Sequence, residues 1–150
     1  DRVSSFVERA LSQPHIERIT GAASHSGPGF FYQPTLLAGC LKSDEIVQRE
    51  VFGPVVSVTR FDTIEQVVNW ANESEYGLAS SVWTQNIDLA MQISTHLQYG
   101  TTWINTHFSL VTEMPHGGLK RSGYGNDLSS YSLQDYSVVR HIMAKFKPQF

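Results

Sequence analysis

This 150-residue sequence has little cysteine, little net charge and no long apolar run. Its one cysteine, Cys40, excludes an internal disulfide and predicts a reducing, cytoplasmic setting. The net charge is −3, and the 11 basic residues form no cluster of the kind that nucleic acid binding requires. No apolar run approaches the roughly 18 residues of a membrane-spanning helix. We therefore expect neither nucleic acid nor a membrane as a partner.

The composition that remains is that of a globular protein, with 41% hydrophobic and 17% charged residues. A length of 150 residues suits one domain or a piece of a larger one. The sequence begins at Asp1, not at a methionine, and opens directly on a helical pattern. We expect residue 1 to be a cut end inside a longer protein.

The first third of the chain predicts short, mixed elements. Apolar residues at helical spacing predict an N-terminal helix with one apolar face, formed by Val3, Phe6, Val7, Ala10 and Leu11. Residues 18–20 predict a short strand, and residues 43–50 a helical turn. Residues 30–37 are extended but interrupted by Pro34, which predicts an edge strand or an arm.

The clearest pattern alternates strands and helices. Residues 55–61, 78–83 and 101–105 predict strands, the first of them buried, and the stretches after Thr63 and after Asn86 predict helices. Thr63 and Gln66 form a capping-box pattern. The order predicts an α/β fold with a partial parallel βαβαβ sheet. Ligands collect at the carboxyl ends of such strands, where Asn105 lies.

Two segments follow the third strand. Residues 106–127 form a loop too long to be a simple connection, which indicates a functional or a disordered segment. Residues 136–146, YSVVRHIMAKF, alternate apolar and polar side chains and predict a late strand. We expect this strand to pair with another sheet or another subunit.

Three segments contain residues with chemical potential but do not match the motif of a phosphate-binding loop, a metal site or a reactive cysteine. The segment Gly117–Gly125 lacks the Lys-Ser/Thr pair of a phosphate-binding loop, so its glycines indicate positive φ angles and close backbone approach. His107, Glu113 and His116 match no helical metal-binding motif, so we predict no metal site. Cys40 has no neighbouring base and is predicted to be a small buried residue.

Glu50 and Phe52 lie on a Gly-Pro turn directly before a valine-rich strand. By themselves they admit two interpretations. Glu50 is either a solvated loop charge or a ligand-binding carboxylate, and Phe52 is either a core residue or an exposed ring with a binding role.

Five blocks carry a family resemblance, in matching order and spacing: FYQPTLL, EVFGPVVSV, ANESEYGLASSVWT, LQYGTTWIN and PHGGLKRSGYG. Together they resemble the C-terminal part of NAD(P)-dependent aldehyde dehydrogenases over nearly the whole chain. The block NTHFSLVTEMPHGG looks most like bacterial γ-aminobutyraldehyde (1-pyrroline) dehydrogenases of putrescine breakdown. The resemblance implies an oxidoreductase that converts an aldehyde, such as 4-aminobutanal, to the carboxylic acid.

The resemblance implies a cofactor role for the Gly-Pro turn. Glu50 matches the glutamate that holds the hydroxyls of the nicotinamide ribose, and two carboxylate oxygens suit a vicinal diol. Phe52 matches the aromatic residue that packs near the nicotinamide ring. The expected cofactor is NAD, with NADP possible.

A second set of residues is implied for the aldehyde. Asn105 matches the active-site rim, while Leu110 and His116 match positions that line the substrate tunnel. Many relatives have Phe or Trp where His116 stands, which suggests a site for a small polar or amine-bearing aldehyde. Glu113 either balances a substrate ammonium or is a rim charge.

The resemblance also divides the chain. Residues 1–135 match part of the catalytic domain, and residues 136–150 match the oligomerisation strand and tail, which implies a homo-oligomer, a dimer or a tetramer. The family's cysteine nucleophile and general-base glutamate match nothing here, so no catalytic residue is assigned and the missing N-terminal portion is an expected partner. We expect residues 1–150 alone to lack dehydrogenase activity. The alternative is a non-catalytic binding or assembly module of the same fold.

Overall fold

The computed structural model describes residues 2–146, which form two compact units. The first unit is Asp1–Glu75 and the second is Tyr76–Phe150. The longest helices of the described part have 10 residues, and none is long and apolar enough to cross a bilayer.

The first unit contains one small sheet and three helices. Its elements are α1 (Arg2–Leu11), β1 (Glu17–Thr20), β2 (Thr35–Ala38), α2 (Glu45–Gln48), β3 (Val55–Ser57) and α3 (Ile64–Asn72). Strand β2 lies at the centre, antiparallel to β1 and parallel to β3. The predicted N-terminal helix, the first short strand and the helical turn are confirmed.

Two expectations for this sheet are wrong. The strand after Pro34 is central, not at an edge, because Pro34 precedes the ladder and Thr35 donates its N–H to the Pro54 carbonyl over 2.8 Å. The valine-rich strand is short and partly exposed, with Val56 59% exposed, although it was expected to be buried over residues 55–61. Within this unit β3 has a ladder partner on one side only.

The core of the first unit lies between α1, β2 and α2. The apolar face of α1 packs there with the chain around Cys40; the buried cluster is Phe6, Ala10, Ile16, Leu37, Cys40, Ile46 and Val51. Cys40 is 2% exposed, as predicted. Burial raises the pKa of its thiol, which disfavours the reactive thiolate.

The second unit contains one parallel βαβ crossover. Its elements are β4 (Tyr76–Gly77), β5 (Ala79–Val82), α4 (Ile87–His96), β6 (Thr101–Ile104), β7 (Leu119–Lys120) and α5 (Ser129–Asp135). Strands β5 and β6 pair in parallel, from Ala79 opposite Thr101 to Val82 opposite Ile104. Strand β7 lies inside the long loop and pairs antiparallel with β4.

The α/β class with parallel pairing is therefore confirmed, although the strand neighbours differ from the expected order. Strand β3 pairs with β2 in the first unit, whereas β5 pairs with β6 in the second. Helical periodicity was not recognised in α5, a helix of seven residues without a side-chain cap.

The predicted late strand is not a strand in the described part of the chain. Residues 137–146 have no regular structure, and their apolar side chains are solvent-exposed, with Val139 fully so. A strand exists only where its N–H and C=O groups meet a ladder partner, and this segment has none among residues 2–146. Asp1 and residues 147–150 of the expected tail lie outside the described residues.

Polar side chains cap the starts of α3 and α4, at Thr63 as its capping-box pattern predicts and also at Asn86. The Thr63 hydroxyl accepts a hydrogen bond from the Gln66 N–H at the start of α3, and Asn86 does the same for the Leu89 N–H at the start of α4. The return bond of the capping box is shifted by one residue, because the Gln66 side chain accepts from the Asp62 N–H over 2.7 Å. Both helices thus begin where polar side chains satisfy their first N–H groups.

Asp44 joins the chain after α1 to the start of α2. Its carboxylate accepts a hydrogen bond from the Leu41 N–H over 2.7 Å and lies 2.9 Å from Nε2 of His15. Burial alone would raise the pKa of the Asp44 carboxyl, but the bonds from His15 and Leu41 outweigh it and hold that pKa below its ordinary value. The ionised form is therefore favoured by folding.

We predict that Asp44→Asn weakens the pH dependence of stability in acid. A carboxyl whose pKa is lower in the folded state stabilises the protein above its unfolded pKa of about 4, and this contribution is lost as the pH falls through the folded value. Denaturant unfolding between about pH 6 and pH 2 should show the variant less stable at pH 6 and converging with wild type in acid. Asp62→Asn, at an exposed aspartate of the same unit, is the control. Parallel curves for wild type and Asp44→Asn would contradict the prediction.

Candidate functional site

The turn at residues 50–54 presents an acid and an aromatic ring to solvent. Glu50 is exposed, and Phe52 is 84% exposed with a φ of 57°. Phe52 is not part of the buried cluster of the first unit. A bulky residue in the left-handed region is uncommon and strained, and such outliers cluster at functional sites. Both side chains are therefore available to a ligand.

Arg2, the first residue of α1, holds this turn in place. Its guanidinium donates from Nη2 to the Glu50 carbonyl over 2.7 Å and from Nε to the Val51 carbonyl over 3.2 Å. Val51 is buried, so the turn is fastened from below while Glu50 and Phe52 stay outside. No sequence pattern marked Arg2, because the bond joins residues 48 positions apart in the chain.

Close packing explains the glycine of the turn. A Cβ added to Gly53 would lie 2.6 Å from Cγ2 of Val3, whose β-branched side chain cannot move away easily. Pro54 then passes the chain into β3, where its carbonyl accepts the Thr35 N–H. The Gly-Pro pair thus allows the turn to lie directly against α1.

Asn105 ends β6 in the second unit and links two strand ends. Its Oδ1 accepts from the Thr84 N–H, and its Nδ2 donates to the Thr84 carbonyl, both over 2.8 Å. Asn105 has a φ of 54°, a conformation that asparagine tolerates better than most residues. The amide of Asn105 thus bonds both backbone groups of Thr84 and links the chain after β5 to the chain after β6. This role of Asn105 at the predicted rim is structural.

The loop after Asn105 folds back over Trp103. The indole N–H of Trp103 donates to the Ser109 carbonyl over 2.8 Å. The ring centroids of Trp103 and His107 are 5.1 Å apart in an edge-on contact, and Phe108 adopts a φ of 58°. The part of the loop that precedes Leu110 is therefore ordered around one buried aromatic ring.

His116 is fixed on three sides. Its Nδ1 lies 3.1 Å from Oγ1 of Thr101, and its main chain exchanges hydrogen bonds with Asp127 in both directions, over 2.9 and 2.7 Å. Its ring centroid lies 6.3 Å from that of Trp103. His116 borders a cleft of about 630 Å³ that Tyr124 and Tyr136 also line.

Leu110 and Glu113 lie on the exposed side of the loop. Leu110 is 43% exposed and lines a second cleft of about 340 Å³ with Trp103 and Met114. Glu113 is exposed and lines neither of these two clefts. Among residues 2–146, no group of three histidine, cysteine or acidic side chains is arranged to hold a metal ion.

The glycine segment behaves as the sequence indicated. Gly123 and Gly125 have φ angles of 110° and 84°, and any side chain at Gly100 would collide with the Gly117 carbonyl. Gly100, directly before β6, and Gly117, directly after His116, thus touch through their backbones.

The predicted site residues thus fall in two groups. Glu50 and Phe52 share one turn of the first unit. In the second unit, Leu110 and His116 lie near Trp103 of β6, and Asn105 comes directly after that strand. Glu113 lies on the same loop and is exposed. Sequence reasoning missed Arg2, Thr101 and Trp103, which hold these groups in place.

Comparisons with known proteins agree on one family. The profile of the aldehyde dehydrogenase family matches residues 1–142. Betaine aldehyde dehydrogenase of Bacillus subtilis is 41% identical over 151 residues, covering 98% of this chain and 31% of that protein. Mitochondrial aldehyde dehydrogenase of Rattus norvegicus is 40% identical over 133 residues, covering 89% and 26%.

A solved structure shows the same fold. Betaine aldehyde dehydrogenase of Staphylococcus aureus in complex with NAD+ superposes with a TM-score of 0.86 at 35% identity, covering 99% of this chain and 30% of that one. The chain spans less than a third of the length of each of these relatives.

We predict that Arg2→Lys loosens the turn at residues 50–54. Lysine keeps the charge but lacks the planar fork that reaches two carbonyls at once, so one hydrogen bond is lost. The free energy of unfolding should fall by about 1 kcal/mol, and amide exchange at residues 50–53 should accelerate. Arg18→Lys, on exposed β1, is the matched control. Unchanged exchange in Arg2→Lys would show that the fork does not hold the turn.

Proposed function

The chain belongs to the aldehyde dehydrogenase family, and we propose that it forms part of an enzyme that oxidises an aldehyde to a carboxylic acid with NAD(P)+. The observation that carries the proposal is the pairing of an exposed carboxylate, Glu50, with a solvent-facing ring, Phe52, on one anchored turn. The family profile over residues 1–142 and the NAD+ complex of the S. aureus relative support it.

The turn fits the nicotinamide end of the cofactor. The two carboxylate oxygens of Glu50 accept hydrogen bonds from the two vicinal ribose hydroxyls. The exposed ring of Phe52 offers an apolar face against which the nicotinamide packs. When bound, the cofactor supplies the acceptor for the hydride that leaves the aldehyde carbon. Arg2 keeps the turn in one place, so that the ribose is positioned without reordering the turn.

Covalent chemistry is assigned to the rest of the enzyme. Aldehyde oxidation of this kind requires a thiolate that attacks the carbonyl and a general base that activates water. Cys40 is buried and its pKa is raised, which makes it a poor nucleophile. We therefore assign positioning, not bond formation, to these 150 residues: cofactor by the first unit, and aldehyde by the loop of the second.

The substrate that we favour is an aldehyde with a cationic nitrogen, of which 4-aminobutanal is the example. The polar His116 stands beside Trp103 at the wall of a cleft, and Glu113 offers a carboxylate farther along the same loop. Two relatives are named for betaine aldehyde, which also carries a cationic nitrogen. A cationic head group would lie near imidazole and aromatic rings, while Leu110 contacts the carbon chain.

The test is a substrate panel with the intact protein. We expect NAD(P)-dependent oxidation of 4-aminobutanal to exceed that of betaine aldehyde and of unbranched aliphatic aldehydes in kcat/KM. A clear preference for the aliphatic aldehydes would reject the aminoaldehyde, and absence of any oxidation would reject the enzyme assignment. NAD and NADP are compared in the same assay.

A second candidate, a non-catalytic assembly module, is favoured by the exposed segment 136–146. Val138, Val139, Ile142, Met143 and Phe146 are each at least 80% exposed. Exposed apolar residues without a ladder partner suit β-strand addition to a second copy of the protein. Assembly through this segment is compatible with an enzyme, whereas a non-catalytic role is not, and the substrate panel separates the two.

We predict that Glu50→Gln weakens cofactor use. The amide keeps one acceptor oxygen but loses the charge and the second acceptor, so binding of NAD+ should weaken about tenfold or hydride transfer should slow by a similar factor. Calorimetric titration with NAD+ and steady-state kinetics measure the two effects. Glu65→Gln on α3 is the control. An unchanged Kd and kcat in Glu50→Gln would remove this role.

We predict that replacing two consecutive N–H donors disrupts assembly. Neighbouring residues of a strand direct their N–H groups to opposite edges, so Val138→Pro with Val139→Pro blocks pairing on either edge. Light scattering should show a smaller native mass than for wild type. The same positions changed to alanine should keep the native mass. An oligomer that survives both proline changes would place the interface elsewhere.

A further inference from the structure

We propose that Trp103 is the positioning residue of the aldehyde loop: its indole N–H fixes the Ser109 carbonyl, and its ring supports His116. The proposal rests on the function inferred above. It assigns to one buried side chain the placement of Leu110 and His116, each of which lines one of the two clefts described for the second unit.

The hydrogen bond is the first reason. Trp103 is 8% exposed, and its Nε1 lies 2.8 Å from the Ser109 carbonyl, six residues along the chain. A buried indole N–H without a partner is unfavourable, so burial of Trp103 favours the bond to Ser109. The carbonyl that it holds immediately precedes Leu110. Fixing that peptide group therefore restricts where Leu110 can lie.

Strand geometry is the second reason. Side chains two residues apart on a strand lie on the same face, which places Thr101 and Trp103 together on β6. Thr101 Oγ1 lies 3.1 Å from His116 Nδ1, and the Trp103 ring centroid lies 6.3 Å from that of His116. Two side chains on one face of β6 thus contact the loop, Trp103 at Ser109 and Thr101 at His116. The loop itself has no ladder over residues 106–115.

Backbone conformation is the third reason. Phe108, next to Ser109, has a φ of 58°, a conformation that costs free energy for an aromatic residue. Strained loop conformations persist only where surrounding contacts hold them. The edge-on contact between Trp103 and His107 and the bond to Ser109 lie on either side of Phe108. Trp103 is therefore placed to maintain this conformation.

The chain provides a matched control in Trp83. Trp83 comes directly after β5, the strand that pairs with β6. It is 66% exposed, and its indole N–H donates to the Ser81 side chain over 3.3 Å. Trp→Phe at either position removes an indole N–H and keeps an aromatic ring. Only the change at Trp103 removes a bond to the aldehyde loop.

The test compares Trp103→Phe and Trp83→Phe in the intact protein with three measurements: hydrogen exchange of amides 106–116, the kinetics of aldehyde oxidation, and the KM for NAD+. For Trp103→Phe we expect faster exchange confined to the loop, kcat/KM for the aldehyde lowered about tenfold, and an unchanged KM for NAD+. Trp83→Phe should leave all three unchanged.

Three results would overturn the proposal. These are unchanged loop exchange in Trp103→Phe, equal effects of the two variants, or a parallel rise in the KM for NAD+ and for aldehyde, which would indicate general loss of structure. If wild type oxidises no aldehyde, the proposed function fails. Loop exchange then still decides whether Trp103 holds the loop.

Discussion

A side-chain donor that captures a loop carbonyl is the interaction on which the candidate residues of each unit depend. Arg2 reaches the carbonyls of Glu50 and Val51, and Trp103 reaches that of Ser109. Each donor belongs to a regular element, α1 or β6. Backbone groups outside helices and sheets still need partners. A few donors from rigid elements therefore give irregular segments a defined shape.

Strain accompanies these anchors. Phe52, Asn105 and Phe108 all have φ angles between 54° and 58°, and all lie in the segments that carry candidate site residues. Such conformations cost of order 1–3 kcal/mol each for residues other than glycine, so surrounding contacts must over-determine them. The anchored carbonyls next to Phe52 and Phe108 are contacts of this kind. Exposed, preorganised rings are what a ligand-binding surface requires.

Some apolar side chains of this chain are exposed to solvent, whereas others form a buried core. Val56 on β3 and Val139 in the tail face solvent, whereas Cys40 and Leu37 are almost completely buried. A valine-rich pattern predicts that a strand is meant to be covered, and the number of neighbouring strands decides whether it is. Within its unit β3 has a ladder partner on one side only, so the apolar pattern of residues 55–61 correctly indicated a strand but overestimated its burial.

The sequence by itself determined the helix starts at Thr63 and Asn86, the apolar face of α1, the parallel β5–α4–β6 unit, and the membership of a family. The first three depend on residues that lie close together in the chain, and the family membership depends on short sequence motifs. Only the tertiary structure decided that β2 is the central strand, that Phe52 is exposed, and that Arg2, Thr101 and Trp103 hold the site. Hydrogen bonds and ladders decide these features. Most join residues distant in the chain, and the bond from Trp103 to Ser109 spans an irregular loop. No local period encodes which residue will be the partner.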